Sequence, residues 1–172
     1  MNQAVEQAVI LAAGRGIRLG DQGTRIPKGF LRLGDTPIVE ESLRRLRDAG
    51  IRKTLIVTGH LAERYEALAK TSGGFVETVY NERFADAGSL LSLLIAIDRL
   101  NADTLLLESD LIYEPRALRA VQYGTADAIL LTGATRAGDE VFVDTDQHGR
   151  LNAMSKDPKQ LGNIACELLG IC

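Results

Sequence analysis

Short runs rich in Val, Ile and Leu, bounded by Gly or Asp, alternate with amphipathic stretches along the chain, at residues 8–13, 54–58, 75–80, 104–108 and 128–132. Their hydrophobicity is continuous, the pattern of strands covered on both faces of a parallel sheet. Between them the periodicity predicts helices. The first opens with Thr36 as N-cap and Pro37 in the first turn. It carries Glu40 and Glu41 near its positive end, stops at Gly50, and buries Val39, Leu43 and Leu46. A second, over about 61–70, shows Leu61, Tyr65 and Leu68. A third, over about 89–100, is apolar through Leu90, Leu91, Leu94, Ile95 and Ile97, which places it inside. Pro115 opens a fourth through Leu118 and Val121 to Gly124, and strands follow at 140–144 and 165–171.

This order predicts an α/β fold: a Rossmann-like doubly wound, mostly parallel sheet with helices on both faces and a strand-rich C-terminal portion. At 172 residues, 45% hydrophobic and 25% charged, with no repeat and four scattered prolines, a single domain over 1–172 is expected. The last residues, ACELLGIC, read as a buried strand without a polar tail, the pattern of a C-terminally shortened chain. A net charge of −3 gives no field for polyanions, so nucleic acid is not an expected partner. The opening apolar run is too short for a membrane span or a signal core, so no membrane partner is expected. Cys166 and Cys172 have neither zinc spacing nor the density of a disulfide scaffold, which points to a reducing cytoplasm. The sequence sets no oligomeric state.

In such sheets ligands bind beyond the carboxyl ends of the strands. The loop after Ala13 reads LAAGRGIRLGDQGTRIPKG, with Gly14, Gly16 and Gly20, the cations Arg15, Arg18 and Arg25, and Lys28 directly after Pro27. Glycines let backbone amides approach an anion and the cations neutralise it, which is polyphosphate chemistry. Leu19 stands where a dinucleotide fingerprint needs its third glycine, and a P-loop's Gly-Lys-Ser/Thr is absent. An ordinary tight turn would explain the glycines alone, but not the cations.

LAAGRGIRL followed by PKG resembles the signature of nucleotidyltransferases that activate a sugar phosphate or alcohol phosphate with an NTP. The resemblance implies that the backbone around Leu11, Ala12, Ala13 and Gly14 holds the nucleoside. It also implies that Gly16 and Arg18 face the triphosphate and that Lys28 approaches the α-phosphate. GIRKTLIVTGHLAERYEAL, VYNERFADAGSLLSL and LLLESDLIYEP are similar, in order and spacing, to the bacterial phosphocholine and 2-aminoethylphosphonate cytidylyltransferases, over nearly the whole chain. VFVDTD, LNAMSKDP and ELLGI are most like the 2-aminoethylphosphonate branch.

Asp110, at a strand end, is the expected ligand for Mg²⁺ shared with nucleotide phosphates, with a helix-capping role as its alternative. Glu108 points the same way and stands second, since it is equally a buried partner for an arginine. Gly88 and Ser89 open the apolar helix, where they would meet nucleobase or phosphate, and Ser89 is equally an N-cap. Asn81 either touches the nucleotide or bonds its own loop. Asp144, Lys156 and Glu167 are the candidates for the acceptor, with solvated surface as the alternative. His60 and His148 have no metal-ligand companion at useful spacing, and Tyr65, Phe75 and Phe84 read as core.

The expected activity is transfer of CMP from CTP to a small phosphonate or phosphate, with Lys28, Arg18 and Asp110 catalytic and Mg²⁺ as cofactor. 2-Aminoethylphosphonate is preferred over phosphocholine: a trimethylammonium needs aromatic faces, and this chain has no Trp. The C-terminal portion offers Tyr113, Tyr123 and Phe142, beside the carboxylates of Asp144 and Glu167. The alternatives are a sugar-1-phosphate or molybdopterin-type enzyme using another NTP, and a catalytically impaired nucleotide-binding module. The resemblance places a second metal carboxylate beyond the end of this chain, with Asp144 the first suspect within it.

Overall fold

The computed structural model describes residues 5–86, 88–123, 127–136, 138, 140–164 and 166–172. Every residue of the first strand, β1 (Gln7–Ala12), is buried. The chain then passes through α1 (Asp21–Arg25), a small hairpin of β2 (Arg32–Leu33) and β3 (Thr36–Pro37), and α2 (Ile38–Asp48). β4 (Lys53–Thr58), α3 (Ala62–Thr71), β5 (Val76–Tyr80), α4 (Ser89–Ile97), β6 (Thr104–Glu108) and α5 (Pro115–Gln122) alternate after it. β7 (Leu131–Thr132), β8 (Phe142–Thr145), β9 (Leu151–Ser155) and β10 (Cys166–Leu168) complete the chain.

The main sheet has the order β5-β4-β1-β6, all parallel, with Leu11 opposite both Val57 and Glu108. Because side chains alternate across a strand, β1 feeds two cores. Ala8, Ile10 and Ala12 face Val39, Leu43 and Leu46 of α2, Tyr65 of α3 and Leu118 of α5. Val9 and Leu11, with Leu55 and Val57 of β4, face Ala96 of α4. Full burial of each large aliphatic side chain contributes roughly 1.5–3 kcal/mol, which makes β1 the anchor of both layers. The expected Rossmann-like α/β fold with helices on both faces is the one observed. The strand-rich C-terminal portion is a second, antiparallel sheet of order β7-β10-β8-β9.

Four expectations change. Residues 128–132 do not form a strand of the parallel sheet. The free edge of β6 is taken by the final residues, where Leu106 and Cys172 exchange hydrogen bonds of 2.8 and 3.0 Å, and Leu130 pairs with Leu169 and Ile171 instead. Thr36 is not an N-cap but lies in β3; Pro37 occupies that position without a side-chain cap. Gly50 does end α2, with φ of 89°. α4 is not inside, because among the described residues no second helix covers its outer side: Ser92 and Ala96 pack inward while Leu90, Leu94 and Ile97 are 80%, 59% and 51% exposed. Leu61 precedes α3 rather than joining it. Gly124 and Ala165, expected at the end of α5 and the start of the last strand, lie outside the described residues. Among the described residues no helix is long and apolar enough to cross a membrane.

Candidate active site

A cavity of about 170 Å³ opens at the carboxyl ends of β1 and β6. Leu11, Ala12, Ala13 and Gly14 form one wall, Gly88 with Ser89 and Ser92 of α4 another, and Lys28, Glu108, Ser109 and Asp110 close it, with Phe84 at the side. A separate hollow of about 230 Å³, between α2 and the β2–β3 hairpin, is lined by Leu33, Ile38 and Tyr113 and contains none of the loop's glycines or cations. Of the two, the first carries the wall of the glycine loop together with Lys28 and Asp110.

Lys28 is placed by its neighbour. A Cβ at Gly29 would stand 2.9 Å from the Tyr65 hydroxyl and 3.0 Å from the Ser109 carbonyl, so only glycine lets the chain pass between α3 and the end of β6. That passage sets Lys28 Nζ 3.3 Å from Asp110 Oδ2, both side chains about one-third exposed to the cavity. Beneath them Tyr65 is fully buried, and burial pushes its hydroxyl up to about 12. Gly16, at φ of 63°, leaves its missing Cβ 3.4 Å from Lys28 Cγ, so the glycine loop lies against the lysine. Arg18 is exposed on the short turn Ile17–Leu19 that follows.

The Glu108 carboxyl is raised, first by burial and then by the charge of Asp110, while the Ser89 hydroxyl and Lys28 favour its ionised form. Ser89 is not the N-cap, a position Gly88 holds; Ser89 is the first residue of α4. Asn81 is fully buried and lines no part of the cavity. Its Nδ2 donates to Ser92 Oγ at 3.0 Å and its Oδ1 accepts from the Arg83 amide at 2.9 Å, so it fixes the loop and one cavity serine.

The three acceptor candidates are not brought to this cavity. Asp144 Oδ2 accepts from the amides of Gly162 and Asn163 at 3.2 and 3.0 Å, and its Oδ1 from Asn152 at 3.2 Å. These bonds, that of Asn163 foremost, hold its carboxyl below the usual range. Glu167 Oε2 accepts from the amide and hydroxyl of Thr135. Both carboxylates are internal fasteners of the second sheet, and Lys156 is exposed just beyond β9. Sequence reasoning missed Phe84 and Ser92 and ranked Glu108 second. The recoverable signal was the spacing of Ser89 and Ser92, three apart in an otherwise apolar helix and so on one face. Phe84 gave no such signal, since a turn rather than an apolar face presents it.

One ammonium and two carboxylates beside a glycine-lined wall suit a polyphosphate accompanied by a divalent cation. Among the described residues no three His, Cys, Asp or Glu side chains are grouped to hold a metal. Asp110 and Glu108 offer hard oxygen donors, a set that fits Mg²⁺, an ion that takes one or two carboxylates and completes its shell with phosphate oxygens and water.

Residues 8–163 match the family model described as the MobA-like NTP transferase domain. The chain is 32% identical over 159 residues to the CMP-5'-(3-aminopropyl)phosphonate synthase of Streptomyces rubellomurinus, covering 91% of this chain and 25% of that protein. It is 29% identical over 162 residues to the 2-aminoethylphosphonate cytidylyltransferase of Lancefieldella rimae, covering 90% of this chain and 63% of that one. It thus spans a quarter of the first relative and under two thirds of the second. The solved inositol-1-phosphate CTP transferase from T. maritima shares the fold, with a TM-score of 0.81 at 18% identity over 99% of this chain and 71% of that chain. With its glycine loop, its Lys28–Asp110 pair and a family match over most of its length, the chain belongs to the MobA-like NTP transferase domain family.

Proposed function

We propose that this domain transfers CMP from CTP to a small phosphonate or phosphate acceptor, 2-aminoethylphosphonate ahead of phosphocholine, and releases pyrophosphate. The observation that carries the reading is the Lys28–Asp110 pair closing a cavity whose opposite wall is the backbone of Leu11, Ala12, Ala13 and Gly14. The names of the two relatives, both CMP-transferring enzymes of aminoalkylphosphonates, support the choice of base and acceptor.

In this reading the wall residues, with Gly88 and Ser89, hold the nucleoside, while Asn81 acts through Ser92. Gly16 and Arg18 face the β- and γ-phosphates. An acceptor oxygen forms a bond to the α-phosphorus, the bond to the β-phosphate oxygen breaks, and pyrophosphate leaves with the electron pair. The acceptor oxygen is ionised at neutral pH, so no general base is required. Lys28 stabilises charge developing on the α-phosphate, and Arg18 that on the leaving group. Mg²⁺, held by Asp110 with phosphate oxygens, would supply further charge neutralisation. The three aromatic residues of the C-terminal portion form no trimethylammonium cage: Tyr113 is buried with its hydroxyl 2.7 Å from Ser42, Tyr123 is exposed after α5, and Phe142 lies in β8. Pyrophosphate release measured with CTP, UTP, GTP and ATP in turn tests the reading, and preference for a base other than cytosine would reassign the domain to sugar or molybdopterin-type transfer.

A further inference from the structure

The turn between β4 and α3 is built from Gly59, His60 and Leu61. Leu61 adopts φ of 55° and ψ of 40°, a left-handed conformation that bulky L residues rarely take and that persists only where the surroundings impose it. Gly59 is packed so tightly on Phe84 and on the Ala13 carbonyl, 2.7 Å from its missing Cβ, that no side chain fits there. These constraints aim His60 at the glycine loop. Its amide donates to the Ala13 carbonyl at 3.2 Å, and its ring Nε2 lies 2.9 Å from the Gly23 carbonyl. A carbonyl only accepts, so Nε2 carries the proton.

Gly23 in turn rests directly on the Gly16 carbonyl, with no room for a Cβ between them, and Gly16 rests on Lys28. Among the described residues the loop's own backbone bonds are local, such as Leu19 to Gly16 at 2.8 Å and Ile26 to Gln22 at 3.0 Å. They shape it without joining it to the sheet. We propose that His60 is a positioning residue: through its Nε2 bond to Gly23 it latches the glycine loop in the conformation that receives the triphosphate. The strained turn keeps the ring aimed, and a short contact path carries the constraint to Lys28. The catalytic part of this inference rests on the cytidylyltransferase reading; the latch itself does not.

Two variants separate the hydrogen bond from the packing of the ring against Phe84, whose centroid is 6.4 Å away. His60→Phe keeps a ring and loses the donor, whereas His60→Gln keeps an N–H of similar reach. The ligand-free loop is read by tryptic cleavage after Arg15, Arg18 and Arg25, and the site by kcat and KM for CTP, on proteins matched for Tm. Losing one hydrogen bond that orders the loop is worth on the order of tenfold in affinity. His60→Phe is therefore expected to be cleaved several-fold faster and to raise KM for CTP about tenfold, with a smaller change in kcat; His60→Gln restores both. A merely destabilised protein would instead lose active fraction, and so kcat, at unchanged KM. Wild-type cleavage of His60→Phe, or equal impairment of both variants, overturns the latch. If the wild type neither binds nor turns over CTP, the cytidylyltransferase reading fails, and the cleavage rates alone decide the latch.

Discussion

Lys28 Nζ lies 3.3 Å from Asp110 Oδ2, joining the loop after β1 to the end of β6 across the mouth of the cavity. A pair about one-third exposed at this distance contributes little to folding, with a typical value of about 0–1 kcal/mol. Each partner is therefore expected to matter for turnover far more than for stability.

Lys28→Ala is expected to lower kcat by on the order of a hundredfold, the scale for losing one preorganised charge donor, with Tm nearly unchanged. Steady-state kinetics decide it. A rise in KM at constant kcat would make Lys28 a binding residue instead.

Asp110→Asn is expected to abolish the Mg²⁺ dependence of turnover while leaving the circular dichroism of the fold intact, because the side chain ends a strand and is 37% exposed. A Mg²⁺ titration of rate, run beside the wild type, is the measurement. An unchanged titration curve would remove Asp110 from the mechanism.

Gly29→Ala places a methyl group 2.9 Å from the Tyr65 hydroxyl, 3.0 Å from the Ser109 carbonyl and 3.2 Å from Val39 Cβ. Overpacking of this kind costs typically 1–3 kcal/mol and forces Lys28 away from Asp110. Denaturant unfolding is expected to show that loss, together with a larger fractional fall in kcat than the stability change alone would cause. Tyr65→Phe in the same background relieves only the clash with the hydroxyl, so partial recovery is expected.

Asp144 tests whether the second sheet binds the acceptor. Its carboxyl is held below its ordinary value of 3.8, first by the Asn163 amide and then by Asn152 and Gly162. A depressed folded-state value means the stabilisation is fully present above pH 3.8 and is lost as pH falls through the lowered value. Asp144→Asn is therefore expected to lower Tm at neutral pH, with the gap to wild type closing in acid, and to leave KM for the acceptor unchanged. A selective rise in acceptor KM at normal Tm would return Asp144 to the acceptor site.

The sequence made the parallel sheet and the glycine loop legible because both are local signals: continuous apolar runs, and a loop whose cations and glycines are contiguous. What escaped depends on neighbours distant in the chain. Residues 128–132 look like a parallel strand until the last residues occupy the edge of β6. α4 is apolar enough to be internal, yet among the described residues nothing covers its outer side and Leu90 and Leu94 are exposed. Asp144 and Glu167 look like ligand carboxylates until the amides and hydroxyl they fasten, at Gly162, Asn163 and Thr135, are brought to them by the second sheet. Gly29 carried no signal beyond its place after Lys28, since the wedge that requires it is assembled from α2, α3 and the end of β6.

The most direct test of the central claim is phosphorus NMR of the protein with CTP, Mg²⁺ and equal concentrations of 2-aminoethylphosphonate and phosphocholine. The expected result is a CMP-linked phosphonate formed in step with pyrophosphate and in excess over CDP-choline. Exclusive formation of CDP-choline would contradict the acceptor assignment, and consumption of CTP without any CMP-linked product would contradict nucleotidyl transfer itself.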